Sequence, residues 1–459
     1  MSALLLRGVE LEGRVVDVRC RDGLVVEVGP GLRSGPDEEV LEGSGGAVLP
    51  GLFDHHVHLL AMAAAAASLD LGPTAVAVPV GLDREIRAAV ADGQAGGWLR
   101  AAGYHEAWGG PLDRDRLDRL TGPDRPLRVK HRTGHAWILN TAGCIAVREP
   151  ENRSGWFVGR DDWLRERLPP APPPDLAPVG DRLVRLGVTG VTDATPTGDR
   201  GHLVVLAGAV TSGALPLRVR VTGGLALAGL PRPPGTERGP VKLMVLDDDG
   251  ADLGGLIEAV ASAHRGGAAV AIHAVSELGA VVAVAAWAQA GVLAGDRLEH
   301  GSVLPDALTG FLAAQGVTVV TQPGFVQERG DYYLGNVDPD DLGVLYRCRS
   351  LLDAGVAVAG STDAPFGPDD PWLAMRAAVD RRTRLGAVVG AGEALTPGEA
   401  LGLFLGHPDR PGGPSRAVEP RAAADLCLLD CPLVTALDEL DASHVAATVV
   451  AGRVVHRRS

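Results

Sequence analysis

The chain has 459 residues, 46% hydrophobic and 22% charged, the balance of a soluble globular protein. Its 57 acidic side chains outnumber 43 basic ones, and the net charge of −14, with only 4% aromatics, argues against nucleic acid or an anionic membrane as partner. Five scattered cysteines are too few for a disulfide scaffold, and the start Met-Ser-Ala-Leu-Leu-Leu-Arg7 reads as no secretory signal, so a cytoplasmic protein is expected.

Residues 1–50 hold short β-rich runs at 4–6, 15–18 and 24–28, punctuated by Gly8, Gly13, Gly23 and Gly29. They are expected to form the N-terminal part of a small β-sandwich. From 51 to 415 the pattern changes. Short apolar runs at 127–130, 188–192, 217–221, 241–245, 270–272, 297–299, 317–320 and 356–359 alternate with Ala-rich helical stretches such as 252–265 and 277–290. That rhythm predicts an α/β fold, a (β/α)₈ TIM-like barrel. The doubly wound alternative lacks its glycine fingerprint, since Gly29-Pro-Gly31 has no third glycine at the required offset. The proline-rich stretch 168–175 reads as an extended, exposed loop. Residues 416–459 return to β-rich runs and are expected to complete the sandwich. Cys427 and Cys431 lack a second pair and read as apolar strand residues. No run is apolar enough for a membrane span.

The first barrel strand is Pro50-Gly-Leu-Phe-Asp-His-His-Val-His58. Residues i and i+2 of a strand share a face, so the imidazoles of His56 and His58 can meet one ion while His55 points away. An isolated His-x-His is weak evidence, but it has company. His273, His300 and Asp363 each stand at the end of an apolar run, and Lys242 lies within another. His273 follows Lys242, and His300 follows His273, by about one strand–helix unit. Strand ends converge on one mouth of a barrel, so these six side chains are expected to share a small volume. Each has a plain structural reading as well: a strand-end histidine is often a bonded core residue, an aspartate after a strand is often a helix cap, and a strand lysine usually reaches solvent.

These residues resemble the amidohydrolase superfamily. More narrowly, Gly103-Tyr-His-Glu, Arg132-Thr-Gly-His-Ala-Trp-Ile-Leu-Asn140, Val241-Lys-Leu-Met, Ala271-Ile-His-Ala, Arg297-Leu-Glu-His, Thr321-Gln-Pro and Gly360-Ser-Thr-Asp-Ala-Pro365 resemble its N-substituted formamide deformylase-like (YtcJ-like) branch. The resemblance implies one or two divalent metals, usually zinc. His56, His58 and Asp363 would hold one, His273 and His300 the other, with Lys242 carboxylated by CO₂ as the bridge. Carboxylation requires a neutral amine, which burial beside cations promotes. Without it, one metal on His56, His58, His273 and Asp363 remains, with His300 polarising the substrate carbonyl. The branch also implies a pocket role for His135; Lys130, Tyr104, Gln322 and Trp137 are further candidates to line the pocket. Two departures stand out: Val275-Ser-Glu277 replaces the usual Gly-Asp, and Thr362 is added before Asp363.

The expected activity is hydrolysis of an amide- or formamide-type C–N bond in a small molecule. A divalent metal lowers the pKa of its water toward ~7, giving hydroxide at neutral pH, and Asp363 serves as general acid and base. Alternatives are an aromatic-heterocycle deaminase, for which Glu277 would matter, and a biosynthetic deacylase removing an acyl or aminoacyl group. A catalytically inactive scaffold would show eroded ligands. A homodimer is the base-rate expectation.

Overall fold

The structure, a computed structural model, describes residues 3–458 except 74, 77, 93–96, 123, 171, 197 and 246–251. The chain divides into two compact units, one made of Met1–His58 with Leu176–Ser459 and the other of Leu59–Asp175.

The first unit contains an eight-stranded parallel sheet whose neighbours run in chain order: β1 Leu52–Val57, β2 Val188–Asp193, β3 Arg218–Gly223, β4 Thr236–Met244, β5 Val270–Ala274, β6 Arg297–His300, β7 Thr318–Thr321 and β8 Val358–Gly360. Every residue of β1, β2, β6, β7 and β8 is buried, as expected of strands covered on both faces. The two ends of the sheet meet. Asp363 N donates to His56 O (2.9 Å) and His58 N donates to Ala364 O (2.8 Å), which brings the segment after β8 against the end of β1. The expected TIM-like barrel is therefore present.

The helical stretches read from sequence are helices with proper starts. Asp252 caps Leu253–Arg265 by accepting from Gly255 N, and Ser276 caps Glu277–Ala290 by accepting from Gly279 N. Two small sheets share one further core in this unit. One is built from Ala3–Leu11, Arg14–Arg21, Leu24–Gly29 and Glu39–Glu42, the other from Val48–Pro50, Leu426–Leu429, Val445–Val450 and Arg453–Arg457. Leu4, Leu6 and Val18 of the first pack with Leu426, Leu428 and Val449 of the second. Cys427 is buried in its strand as expected, but Cys431 is not a strand residue. It follows the strand end, with Sγ 3.3 Å from His444 Nδ1, because the chain turns at Asp430 to receive His444.

The second unit corrects one expectation. The run at 127–130 is no barrel strand: Leu127–His131 pairs with Leu99–Tyr104 and Ala136–Leu139 in a separate five-stranded mixed sheet, with Trp156–Val158 and Leu69–Asp70 at the edges. Its residues alternate between buried and half-buried. That pattern fits a sheet with two unlike faces rather than a doubly covered barrel strand. The proline-rich stretch lies in this unit; its described residues stand outside any helix or strand and are mostly exposed, and Ala171 lies outside the described residues. Among the described residues no helix is long and apolar enough to cross a membrane.

Candidate metal centre

The end of β1 delivers His56 and, one step beyond it, His58. Alternation sends both side chains to one side, where Asp363 meets them: its Oδ1 lies 3.2 Å from His58 Nε2 and 3.7 Å from His56 Nε2. One donor atom from each of the three fits within 4.8 Å. His55 turns away, its buried ring 4.9 Å from that of Phe53. The imidazole of His300, from the end of β6, stands 4.8 Å from the ring of His56 and 4.5 Å from that of His273, from β5. Lys242, on β4, is 4% exposed rather than reaching solvent, and its Nζ has no hydrogen-bond partner. Its charge acts on both His56 and His300, which places it in the same group. All six residues expected at the barrel mouth are thus gathered, from five strand ends.

Two of them reach the site through unusual backbone. His300 has φ +70° and Asp363 φ +54°, in the left-handed region that non-glycine residues rarely adopt. At β6 this has a clear consequence. Consecutive residues of a regular strand point to opposite faces, yet Glu299 and His300 both contact the histidine group, because the chain leaves the pleat at His300.

Electrostatics follow from burial. Burial holds the imidazoles of His56 and His300 below their usual pKa, so both rings are neutral with lone pairs available. Burial would raise the Asp363 carboxyl, but the imidazoles packed around it, His58 first and then His56 and His300, outweigh that and hold it well below the usual carboxylate range. The Lys242 amine is pushed down to about 8, mainly by burial, against the opposing pull of Glu299.

Supporting residues stand behind these: Gln322, already a candidate to line the pocket, and Glu299, Thr195 and Asp54, to which the sequence reading gave no role. Glu299 bonds His56 Nδ1, and Arg297 Nε lies 2.6 Å from the other Glu299 oxygen. Such a carboxylate fixes the ring tautomer and aims Nε2 at the centre. Gln322 Oε1 does the same for His300 Nδ1 at 2.9 Å, while its amide donates to Ser361 Oγ at 2.9 Å. Thr195 Oγ1 is 3.4 Å from His58 Nδ1. The added Thr362 has a function in the fold: its hydroxyl donates to Asp54 Oδ2 at 2.5 Å and its N–H to Asp54 Oδ1 at 3.1 Å. Burial raises the Asp54 carboxyl to about 7 against the lowering effect of these bonds. The sequence signal for Glu299 was its place in Arg297-Leu-Glu299-His300, two residues from Arg297 on the same face.

The remaining sequence candidates, Glu277 apart, belong to the second unit. His135 is exposed in the second unit, in the turn between Leu127–His131 and Ala136–Leu139. Lys130 and Trp137 are in that unit too. Tyr104 is fully buried in its core, its hydroxyl donating to Gly110 O. Glu277 is exposed in the first turn of its helix, where a carboxylate favours the helix dipole.

The donor set fits a divalent metal. His56 and His58 present nitrogen atoms, Asp363 Oδ1 is buried without a hydrogen-bond partner, and Lys242 Nζ is a second buried polar atom in the same position. Unpaired buried polar atoms cost about 1–3 kcal/mol each, so a pair of them facing one group of histidines points to a missing partner.

Comparison with known proteins agrees with this geometry. Residues 39–456 match the amidohydrolase family. The N-substituted formamide deformylase of Arthrobacter pascens is 31% identical over 168 residues, 36% of this chain and 31% of that protein. A Bacillus subtilis (strain 168) protein bearing the amidohydrolase name YtcJ is 30% identical over 112 residues, 24% of this chain and 21% of that protein. Both matches therefore span less than a third of the relative's length. The crystal structure of a metal-dependent hydrolase from Pyrococcus horikoshii OT3 superposes with a TM-score of 0.72 at 19% identity, covering 99% of this chain and 100% of that one, a likeness of fold.

Proposed function

The chain belongs to the amidohydrolase family, and on that premise we propose that it hydrolyses a non-peptide, amide- or formamide-type C–N bond in a small molecule. The observation that carries this reading is the placement of two histidines and a carboxylate around one point, beside a buried lysine with no hydrogen-bond partner. His56, His58 and Asp363 would hold one divalent ion, zinc by the chemistry of the donors. Lys242, carboxylated, would join His273 and His300 in holding a second. When bound, the metal supplies a Lewis acid for the carbonyl oxygen and lowers the pKa of nearby water.

The residues of the chain supply the rest. Asp363 is ionised and sits between His58 and His300, its Oδ2 3.9 Å from His300 Nδ1. It takes a proton from the attacking water and returns it to the leaving nitrogen, which would otherwise depart as an unstable amide anion. His300, its Nδ1 held by Gln322, offers Nε2 to the group that carries the carbonyl. Glu299 keeps His56 in the tautomer whose Nε2 faces the centre. The formamide class is favoured by the relative named a deformylase. The deaminase reading finds no support at Glu277, which is exposed. The inactive-scaffold reading expects eroded ligands, and all six residues stand together. A screen of N-formyl and N-acyl amines against zinc-loaded protein and its Asp363→Asn variant tests the proposal. Turnover lost in the variant supports it, and turnover of none of these amides by the loaded wild type counts against it.

A further inference from the structure

The second unit has a cavity of ≈ 430 Å³, within the range of small-molecule pockets. Its floor is one face of the mixed sheet. Arg100 stands opposite Arg128 in the parallel register, Lys130 is two residues along from Arg128, and Trp137 is directly opposite Lys130. Arg100, Arg128 and Trp137 line the cavity together with Asp161, while Leu164 and Leu168 supply an apolar wall.

Three cations on one sheet face repel one another, since like charges directly opposite destabilise a strand pair. The chain neutralises only one of them. Lys130 Nζ is 2.5 Å from Asp161 Oδ1, and the same oxygen accepts from Trp137 Nε1 at 2.8 Å. Arg100 and Arg128 have no ion pair among the described residues, and Arg128 Nε is buried without an acceptor. Burial, reinforced by the Arg100 charge, lowers the Arg128 pKa to about 10. The Trp137 ring is the one soft partner offered, 5.2 Å from Arg128 Cζ and 4.4 Å from Lys130 Nζ.

We propose that this cavity binds a small organic anion, an oxoanion of the carboxylate or phosphate type carried on a flat apolar body, independently of the metal centre. Arg100 and Arg128 take the oxoanion, which is the geometry a planar guanidinium recognises best. Trp137 and the leucine wall take the apolar body.

The test uses the full-length, metal-loaded protein and four probes: phenyl phosphate, benzoate, inorganic phosphate and benzyl alcohol. Calorimetric titration is expected to show binding of phenyl phosphate and benzoate, weaker binding of inorganic phosphate and none of the neutral alcohol. The tighter of the two aromatic anions identifies the oxoanion. Arg128→Met and Arg100→Gln each weaken binding by about tenfold or more. Metal content does not change in either variant. Without ligand Arg128→Met melts no lower than the wild type, because a repulsion is removed, whereas a purely structural arginine would be missed. Arg100→Gln, at an exposed position, gives the same reading should Arg128→Met fold poorly. Absence of binding to the wild type overturns the proposal, and so does binding that persists in both variants, as it would for anions held at the metal centre.

Discussion

Thr362 Oγ1 donates to Asp54 Oδ2 at 2.5 Å, joining two residues 308 positions apart and tying the turn that carries Asp363 to the strand that carries His56. A buried carboxylate needs every donor it can reach. Thr362→Val removes the hydroxyl and leaves Asp54 with backbone donors, so a loss of about 1–3 kcal/mol in stability is expected. Thr362→Ser keeps the donor and should lose much less. Denaturant melts of the two variants check this. The valine variant should also hold metal more weakly, because Asp363 is the next residue.

Glu299 is buried and bonded to His56 Nδ1. Glu299→Gln keeps the shape but removes the charge that favours the right tautomer. Metal affinity is expected to fall by about 10–100-fold, as for other carboxylate partners of ligand histidines. Competition with a chelator of known affinity measures it.

Asp363→Asn tests proton transfer. Loss of a general acid and base lowers kcat by about 10²–10⁴-fold. Because Asp363 also stands among the donors, bound metal must be assayed in the same samples. A large fall in kcat with metal retained assigns the effect to the proton, and an unchanged kcat would remove Asp363 from the chemistry.

How much of this was legible in the sequence depended on distance along the chain. His56 and His58 could be read together because alternation is a local rule, and His273, His300 and Asp363 because apolar runs mark strand ends. Glu299 and Asp54 could not be given a role, since their partners are 243 and 308 residues away. Lys242 could be placed at the barrel mouth by its position in an apolar run, but only the folded barrel shows that its amine is buried without a hydrogen-bond partner. The run at 127–130 misled for a related reason. Hydrophobic alternation identifies a strand but not the sheet it joins, and this one belongs to the second unit.

Away from the site, His444 offers a pH-dependent contribution to stability. Burial lowers its pKa, but hydrogen bonds from its ring to Asp430 (3.0 Å) and Glu439 (2.8 Å) outweigh that and raise it overall. A histidine with a raised folded pKa stabilises fully below its unfolded value of about 6.5, and the benefit is lost as pH rises through the folded value. His444→Gln should therefore lower Tm more at about pH 5.5 than at about pH 8.5. An equal drop at both would mean that the carboxylates do not hold the charged ring.

Metal content of the wild type and Lys242→Ala, each purified without added metal and then offered zinc and bicarbonate, tests the central claim most directly. The account predicts bound zinc in the wild type, falling to half or less in Lys242→Ala. A wild-type protein that holds no metal and takes up none would contradict it.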